Sequence, residues 1–373
     1  MTIHIFNPEH DLALAAGLSN FTAPHAGRQL RHDLGFLPAL WAGDCDVVLV
    51  DDVDVARRSY GKLQAALGTA LGTRTFFPIN SHFPPSKVGV SSQETPTLLP
   101  WGWNGALKAL LLRTGYAPEL LPSDEQLATI RQLSHRREAA WLLSALRMEE
   151  TIGDAFECYS IDEMKSLSER FGQVVLKAPW SSSGRGIRFW NNNSGTANVE
   201  HWACNVIRQQ GTIMVEPYYN KVKDFGMEFL SDGKGRVTYE GLSLFQTVNG
   251  AYTGNIIATE QVKRSMINRY ISADLLDAVK EKVCTLLGNA FCGKYCGPFG
   301  IDMMVVNALQ NDKKEREKSN LLHPCVEINL RRTMGHVALA LGRRLNPTCD
   351  EEVRYVMRIV YSNNNYKLTI KHL

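Results

Sequence analysis

The segment Val326-Glu327-Ile328-Asn329-Leu330-Arg331 constrains this chain more than any other. Its strict alternation of apolar and polar residues has the period of a strand. In an extended conformation Glu327, Asn329 and Arg331 therefore project from one face and Ile328 and Leu330 from the other. A carboxylate, an amide and a guanidinium in one row are costly to bury unless each has a partner. Together they offer two oxygen ligands to a hard cation such as Mg²⁺ and a positive charge to an anion beside it. The segment must be a strand with one face on a core and the other given to polar chemistry, and phosphate handling uses all three groups.

A second strand supplies the complement. Gly300-Ile301-Asp302-Met303-Met304-Val305-Val306 carries one acid in an otherwise apolar run, and a lone buried aspartate costs several kcal/mol unless paired or metal-bound. Residues 311–320, with Lys313-Lys314-Glu315-Arg316-Glu317-Lys318, read as a solvated hairpin tip joining the two strands. Asp302, Glu327 and Asn329 then form three oxygen ligands across one hairpin.

Upstream, the apolar strand Val174 to Lys177 runs into Ser181-Ser182-Ser183-Gly184-Arg185-Gly186 and a second strand, Ile187 to Trp190. Small residues let successive N–H groups curl around phosphate oxygens while the strand-end lysine meets their charge. This is no Walker A loop, because the lysine precedes the glycines and no helix follows. Taken alone, a flexible turn explains the loop equally well. The strand Ile213 to Pro217 ends in Glu216, which suits ribose hydroxyls, beside Pro217 and Tyr218, whose backbone suits an adenine edge; an ordinary strand end with a charged turn explains it equally well. Next comes the acidic strand Asp224 to Leu230, turning at Ser231-Asp232-Gly233. Residues 246–255, rich in small hydrogen-bonding side chains, read as a hairpin and loop turning at Asn249-Gly250.

Residues before about 120 alternate strands and helices: Ile3 to Phe6, a loop at residues 7–11, Leu12 to Ala16, then Val47 to Val50 ending in Asp51-Asp52. That pattern predicts an open parallel sheet, without the G-x-G-x-x-G of a dinucleotide fold. Trp101 and Trp103 read as packing residues rather than a ligand wall. His10, at a strand's C-terminal end, is an acid–base candidate, with a helix-start motif as the better reading. Capping boxes at Ser123/Gln126 and Ser160/Glu163 open two helices, and a helix between them carries Arg136, Arg137 and Trp141. Arg332 reads as a structural ion pair, and His336 as packing where a helix begins near Val337.

Lys plus Arg exceed Asp plus Glu by only 41 − 38 = 3, which argues against nucleic acid as a partner. The sequence shows no ~18-residue apolar run and no signal-peptide pattern, so a cytoplasmic protein without membrane contact is expected. Its eight cysteines lack a C-x-x-C pair and fit a reducing compartment. Cys292, Cys296, His323 and Cys325 could be drawn as a loose zinc site, but buried core thiols are the better reading.

The order of these parts (lysine strand with glycine-rich loop, E-P strand, acidic strand, then E-x-N-x-R) resembles the ATP-grasp superfamily over roughly residues 120–340. Glu327-Ile328-Asn329-Leu330-Arg331 with His336 is similar to its biotin carboxylase-like members. The resemblance implies a mixed α/β (α+β) chain: a Rossmann-like pre-ATP-grasp domain over 1–122, linker helices and a lid subdomain over 123–230, and a C-terminal metal-bearing subdomain over 231–373. It implies ATP with one or two Mg²⁺ (or Mn²⁺) ions held by Asp302, Glu327 and Asn329. Arg136 (or Arg137), Lys177, Ser181, Ser182, Ser183, Gly184, Gly186, Glu216 and Tyr218 would contact the nucleotide. Arg331 would be catalytic. The implied reaction is an ADP-forming ligase joining a small carboxylate to an amine or thiol, with a small-molecule kinase or a non-catalytic ATP-binding regulator as alternatives. A homodimer would be in keeping with that superfamily.

Overall fold

The computed structural model describes all residues except 69–70, 82–94, 182–185, 192–196, 249–250, 308–319 and 346–354. The chain forms two compact units. The first comprises Met1–Arg131, Thr253–Thr259 and Arg331–Leu373, and the second Gln132–Tyr252 and Glu260–Leu330.

The first unit begins with β1 (Thr2–Ile5), α1 (His10–Ala16), α2 (His25–Leu34), β2 (Val47–Val50), α3 (Val53–Leu67), β3 (Thr75–Pro78), β4 (Thr97–Pro100), α4 (Gly105–Arg113) and α5 (Asp124–Leu133). Its four strands form a parallel sheet in the order β3-β2-β1-β4. Near-continuous apolar strands such as Val47–Val50 suit a sheet covered on both faces. Ile3, Ile5, Val47 and Leu49 pack under Leu107 and Leu111 of α4, while Val48 and Val50 join Ala56, Tyr60 and Leu63 of α3 in a separate core. Asp52 caps α3 by accepting from the Asp54 and Val55 amides. Trp101 is buried edge-on against Phe6, a packing role as expected.

The second unit carries α6 (Arg136–Ala145), β5 (Phe156–Cys158), α7 (Ile161–Phe171), β6 (Gln173–Lys177), β7 (Ile187–Asn191), α8 (Ala197–Gln210), β8 (Ile213–Pro217), β9 (Lys221–Ser231) and β10 (Val237–Val248). The chain continues as β11 (Ala251–Ile257), then α9 (Glu260–Ile267), α10 (Ala273–Phe291), β12 (Gly297–Asn307) and β13 (Asn320–Asn329). It closes in the first unit with α11 (Met334–Leu345), β14 (Tyr355–Ser362) and β15 (Asn365–His372). The first capping box forms as read, with Ser123 and Gln126 exchanging hydrogen bonds. In the second, Ser160 Oγ accepts from the Glu163 amide while Glu163 reaches the Tyr159 amide instead. The expected tip at 311–320 and turn at 249–250 fall largely outside the described residues.

Two antiparallel sheets organise the second unit. The smaller runs β5-β8-β6-β7, and Val174, Leu176, Trp190, Ile213 and Val215 bury one face with α7 and α8. In the larger, β13-β12-β9-β10 are neighbours. Phe229 and Phe299 stack at 5.2 Å, and Phe291 of α10 meets Phe299 edge-on at 5.2 Å. Odd-numbered residues of β9 and β12 therefore face α10, which leaves the even-numbered ones on the opposite face.

Candidate active site

That opposite face holds the polar residues. Asp302 pairs across the ladder with Glu327 on β13 and with Gly226 on β9, which pairs in turn with Ser243 on β10. One row further, Gly300 lies between Asn329 and Glu228, and Glu228 pairs with Gly241. On β9 and β12 each acid thus faces a glycine, Asp302 opposite Gly226 and Glu228 opposite Gly300. A Cβ at Gly226 would lie 3.0 Å from the Ile301 carbonyl and 3.4 Å from the Asp302 carboxylate, so a side chain there would crowd the paired strand.

Asn329 Nδ2 donates to Asp302 Oδ2 at 3.2 Å. Asp302, Glu327 and Asn329 are thus brought together, as the strand alternation implies. Among the described residues no three His, Cys, Asp or Glu side chains form a metal cluster. The trio's two carboxylates and one amide oxygen nevertheless match a hard divalent cation in ligand chemistry. Glu228 was not singled out by sequence as a site residue. It is 3% exposed, and the signal was the same as for Asp302, an acid inside an apolar strand.

Arg136 stands at the start of α6, behind the cap His135. Its guanidinium donates to Glu327 Oε1 at 2.7 Å, to Ser181 Oγ at 2.8 Å and to the Ala178 carbonyl. One buried side chain therefore joins the root of the serine/glycine loop to a candidate metal ligand. Ser182, Ser183 and Gly184 lie outside the described residues. Gly186 closes the loop with its carbonyl on the Ala178 amide, and a side chain there would collide with Ser181.

Lys177 and Glu216, read separately as phosphate and ribose contacts, are paired with each other at 2.6 Å, with side chains 6% and 9% exposed. Lys177 Nζ also lies 3.4 Å from the Val326 carbonyl. His323, on the same strand, is fully buried, with no hydrogen-bond partner on either ring nitrogen among the described residues. Burial, followed by the nearby Lys177 charge, pulls its pKa down to about 3, so the ring is neutral. Cys325 is buried and its thiol is pushed up by desolvation, whereas Cys292 and Cys296 are exposed. These residues do not make the loose zinc site.

Arg331 departs from the simple alternation. The strand stops at Asn329, and Arg331 belongs to the first unit. There it grips Asp11 through Nε at 2.8 and 3.0 Å and through Nη2 at 2.6 Å. Asp11 was not assigned this role from sequence, because a contact across 320 residues leaves no local trace. Arg332 lies over the Trp41 ring at 4.6 Å, a cation–π contact that the ion-pair reading did not anticipate. His336 lies inside α11, which begins three residues earlier than Val337, and its Nδ1 accepts from the Thr333 amide. His10 is buried against Gly102 and lies 3.3 Å from Asn104 Nδ2. Desolvation lowers its pKa to about 4 against the opposing pull of Asp11.

A parallel-sheet unit at the N-terminus, a small antiparallel sheet with a strand-end lysine and serine/glycine loop, and a larger sheet with paired acids together define the ATP-grasp fold. By sequence the chain matches no family model and no curated protein. Among solved structures it is similar to biotin carboxylase from Campylobacter jejuni in complex with β,γ-ATP. The TM-score is 0.50 at 13% identity over 96% of this chain and 75% of that one. It is also similar to N5-carboxyaminoimidazole synthetase from Staphylococcus aureus complexed with ADP (TM-score 0.49, 13% identity, 97% and 83% covered). A third is N5-carboxyaminoimidazole ribonucleotide synthetase from Thermus thermophilus (TM-score 0.46, 10% identity, 96% and 83% covered). At these identities the likeness is one of fold. No described helix is long and apolar enough to cross a membrane.

Proposed function

We propose that this protein is an ATP- and Mg²⁺-dependent ligase that activates a small carboxylate as an acyl-phosphate for attack by an amine or thiol, releasing ADP and phosphate. The observation that carries the reading is Asp302 facing Glu327 across one ladder, with Asn329 bonded to Asp302. The Campylobacter jejuni neighbour in complex with β,γ-ATP supports the choice of nucleotide, and the two carboxylates with one amide oxygen support the choice of ion.

In this reading Asp302, Glu327 and Asn329 hold the ion, which supplies charge neutralisation to phosphate oxygens. Lys177 exchanges its Glu216 partner for phosphate, freeing Glu216 for ribose hydroxyls. Arg136 trades Glu327 for phosphate and keeps the loop root at Ser181. Tyr218 and the described loop residues Ser181 and Gly186, with Ser182, Ser183 and Gly184, complete the nucleotide contacts. Arg331, steadied by Asp11, stabilises negative charge on the transferring phosphoryl group or the tetrahedral intermediate. These are positioning and electrostatic roles, which dominate phosphoryl transfer.

The test is release of ADP and phosphate from ATP in the presence of paired amino acids, amines, thiols and short carboxylates. Dependence on two co-substrates is expected, whereas phosphate retained on one product would mean a kinase. Glu327→Ala should lower Mg²⁺-dependent turnover by at least about a hundredfold, equivalent to ~3 kcal/mol of barrier. Unchanged turnover would remove the metal assignment.

A further inference from the structure

One side of α9 carries a polar cavity that none of the roles above uses. Gln261, Arg264, Ser265 and Asn268 recur at helical spacing along that side, and Arg269 follows in the turn beyond the helix. These five residues line a cavity of about 580 Å³, a size that suits a small molecule. Two of them are arginines, three are neutral and polar, and none is an acid.

Another side of α9 is fixed to the larger sheet. Glu260 accepts from the Leu242 amide at 3.1 and 3.2 Å and from the Tyr239 hydroxyl at 2.5 Å. Buried Lys263 donates to the Leu242 carbonyl at 2.6 Å. Two side chains of α9 thus satisfy both backbone groups of one β10 residue, as a neighbouring strand would. Arg264 is held by α10 in turn, its Nη1 and Nη2 donating to the two Asp277 carboxylate oxygens at 2.9 and 2.6 Å. That fork sets the guanidinium plane and uses two of its five N–H donors, which leaves three for a ligand. The Arg269 side chain is exposed and makes no ion pair or hydrogen bond among the described residues. The helix is therefore anchored, and its cavity presents one preset cation and one uncommitted cation beside two amides and a hydroxyl. Guanidinium groups match phosphate oxygens in geometry. Amides and hydroxyls both donate and accept, which matches the hydroxyls of a sugar.

We propose that this cavity is a second ligand site, sharing no residue with the Asp302–Glu327 ladder, and that it takes a small sugar phosphate. Calorimetric titration of the full chain with glucose 6-phosphate, inorganic phosphate and glucose tests it. Saturable binding is expected for glucose 6-phosphate, weaker binding for inorganic phosphate and none for glucose. Arg269→Ala should weaken glucose 6-phosphate about tenfold or more, the scale of one hydrogen bond to a charged group. Because that side chain is exposed, the thermal midpoint of Arg269→Ala should equal the parent's, which separates lost contact from misfolding. Lys177→Met/Glu216→Leu, which removes the buried lysine of the other site, should bind glucose 6-phosphate as the parent does. Equal affinity in parent and Arg269→Ala would overturn the proposal, as would a parent that binds no glucose 6-phosphate. A loss confined to the Lys177/Glu216 variant would also overturn it, by assigning the phosphate to that lysine. Inorganic phosphate bound as tightly as glucose 6-phosphate would overturn the sugar as ligand.

Discussion

Deleting the Glu216 charge strands the Lys177 ammonium. The two side chains are 6% and 9% exposed and 2.6 Å apart, and Glu216→Gln keeps the shape while removing the charge. The lysine is left with the Val326 carbonyl at 3.4 Å, a long contact for a buried cation. Breaking a buried pair at one end costs about 3–5 kcal/mol. At roughly 2–4 °C per kcal/mol for a unit of this size, the transition should fall by about 10 °C. The double variant Lys177→Met/Glu216→Leu removes both charges of the buried pair together, and such swaps are often neutral or stabilising. Differential scanning calorimetry reads the shift, and hydrogen exchange across β6 and β8 assigns the transition to the second unit, since the two units need not melt as one. The double variant should recover most of the lost stability and still fail to bind nucleotide. A double variant as unstable as Glu216→Gln would refute the account of a charge pair held against its desolvation cost.

His10 gives a pH prediction. Its folded pKa of about 4 lies below the ordinary 6.5 because it is buried. The unfolded chain therefore binds the extra proton between those values. The neutral-ring contribution is fully present above pH 6.5 and lost as pH falls toward 4, a change of about 3 kcal/mol. Thermal unfolding of the parent should decline more steeply over that window than unfolding of His10→Gln, and parallel profiles would refute it. Asp11→Asn keeps the side chain's shape but removes the charge and leaves Arg331 one acceptor oxygen in place of two. Turnover should fall roughly tenfold, the scale of losing a partner of a working group, with little change in the KM for ATP. A change confined to KM, or to stability, would make Asp11 structural.

What the sequence exposed and what it hid follow one physical boundary. Period-two alternation places Glu327, Asn329 and Asp302 correctly because each sits within a regular strand whose other face is apolar. The same rule fails at Arg331, since alternation says nothing about where a strand ends, and the chain has left the sheet by Leu330. Glu228 obeys the rule as well as Asp302 does, but its place in the same row as Asn329, across Gly300, depends on β9 and β12 being neighbours. Lys177 and Glu216 lie at the ends of separate strands. Their pairing follows from the antiparallel register of β6 and β8, in which Val175 opposes Glu216, and register between distant strands has no local sequence signal.

That register has a consequence for how ligands would enter the proposed site. Two cations, Lys177 and Arg136, are each neutralised by a carboxylate, Glu216 and Glu327. A triphosphate arriving alone would satisfy the cations and leave Glu327 without its guanidinium beside Asp302, two like charges on one ladder rung. A divalent cation arriving alone would satisfy those acids and leave Arg136 without its partner. For the Arg136–Glu327 pair each ligand alone strands one charge, and the two together strand neither. Metal and nucleotide binding must then be coupled, and linkage makes the coupling equal in both directions. This chain's own ion pairs add to the coupling that the ion's contact with phosphate oxygens already supplies, so it should shrink when Arg136 or Glu327 is neutralised.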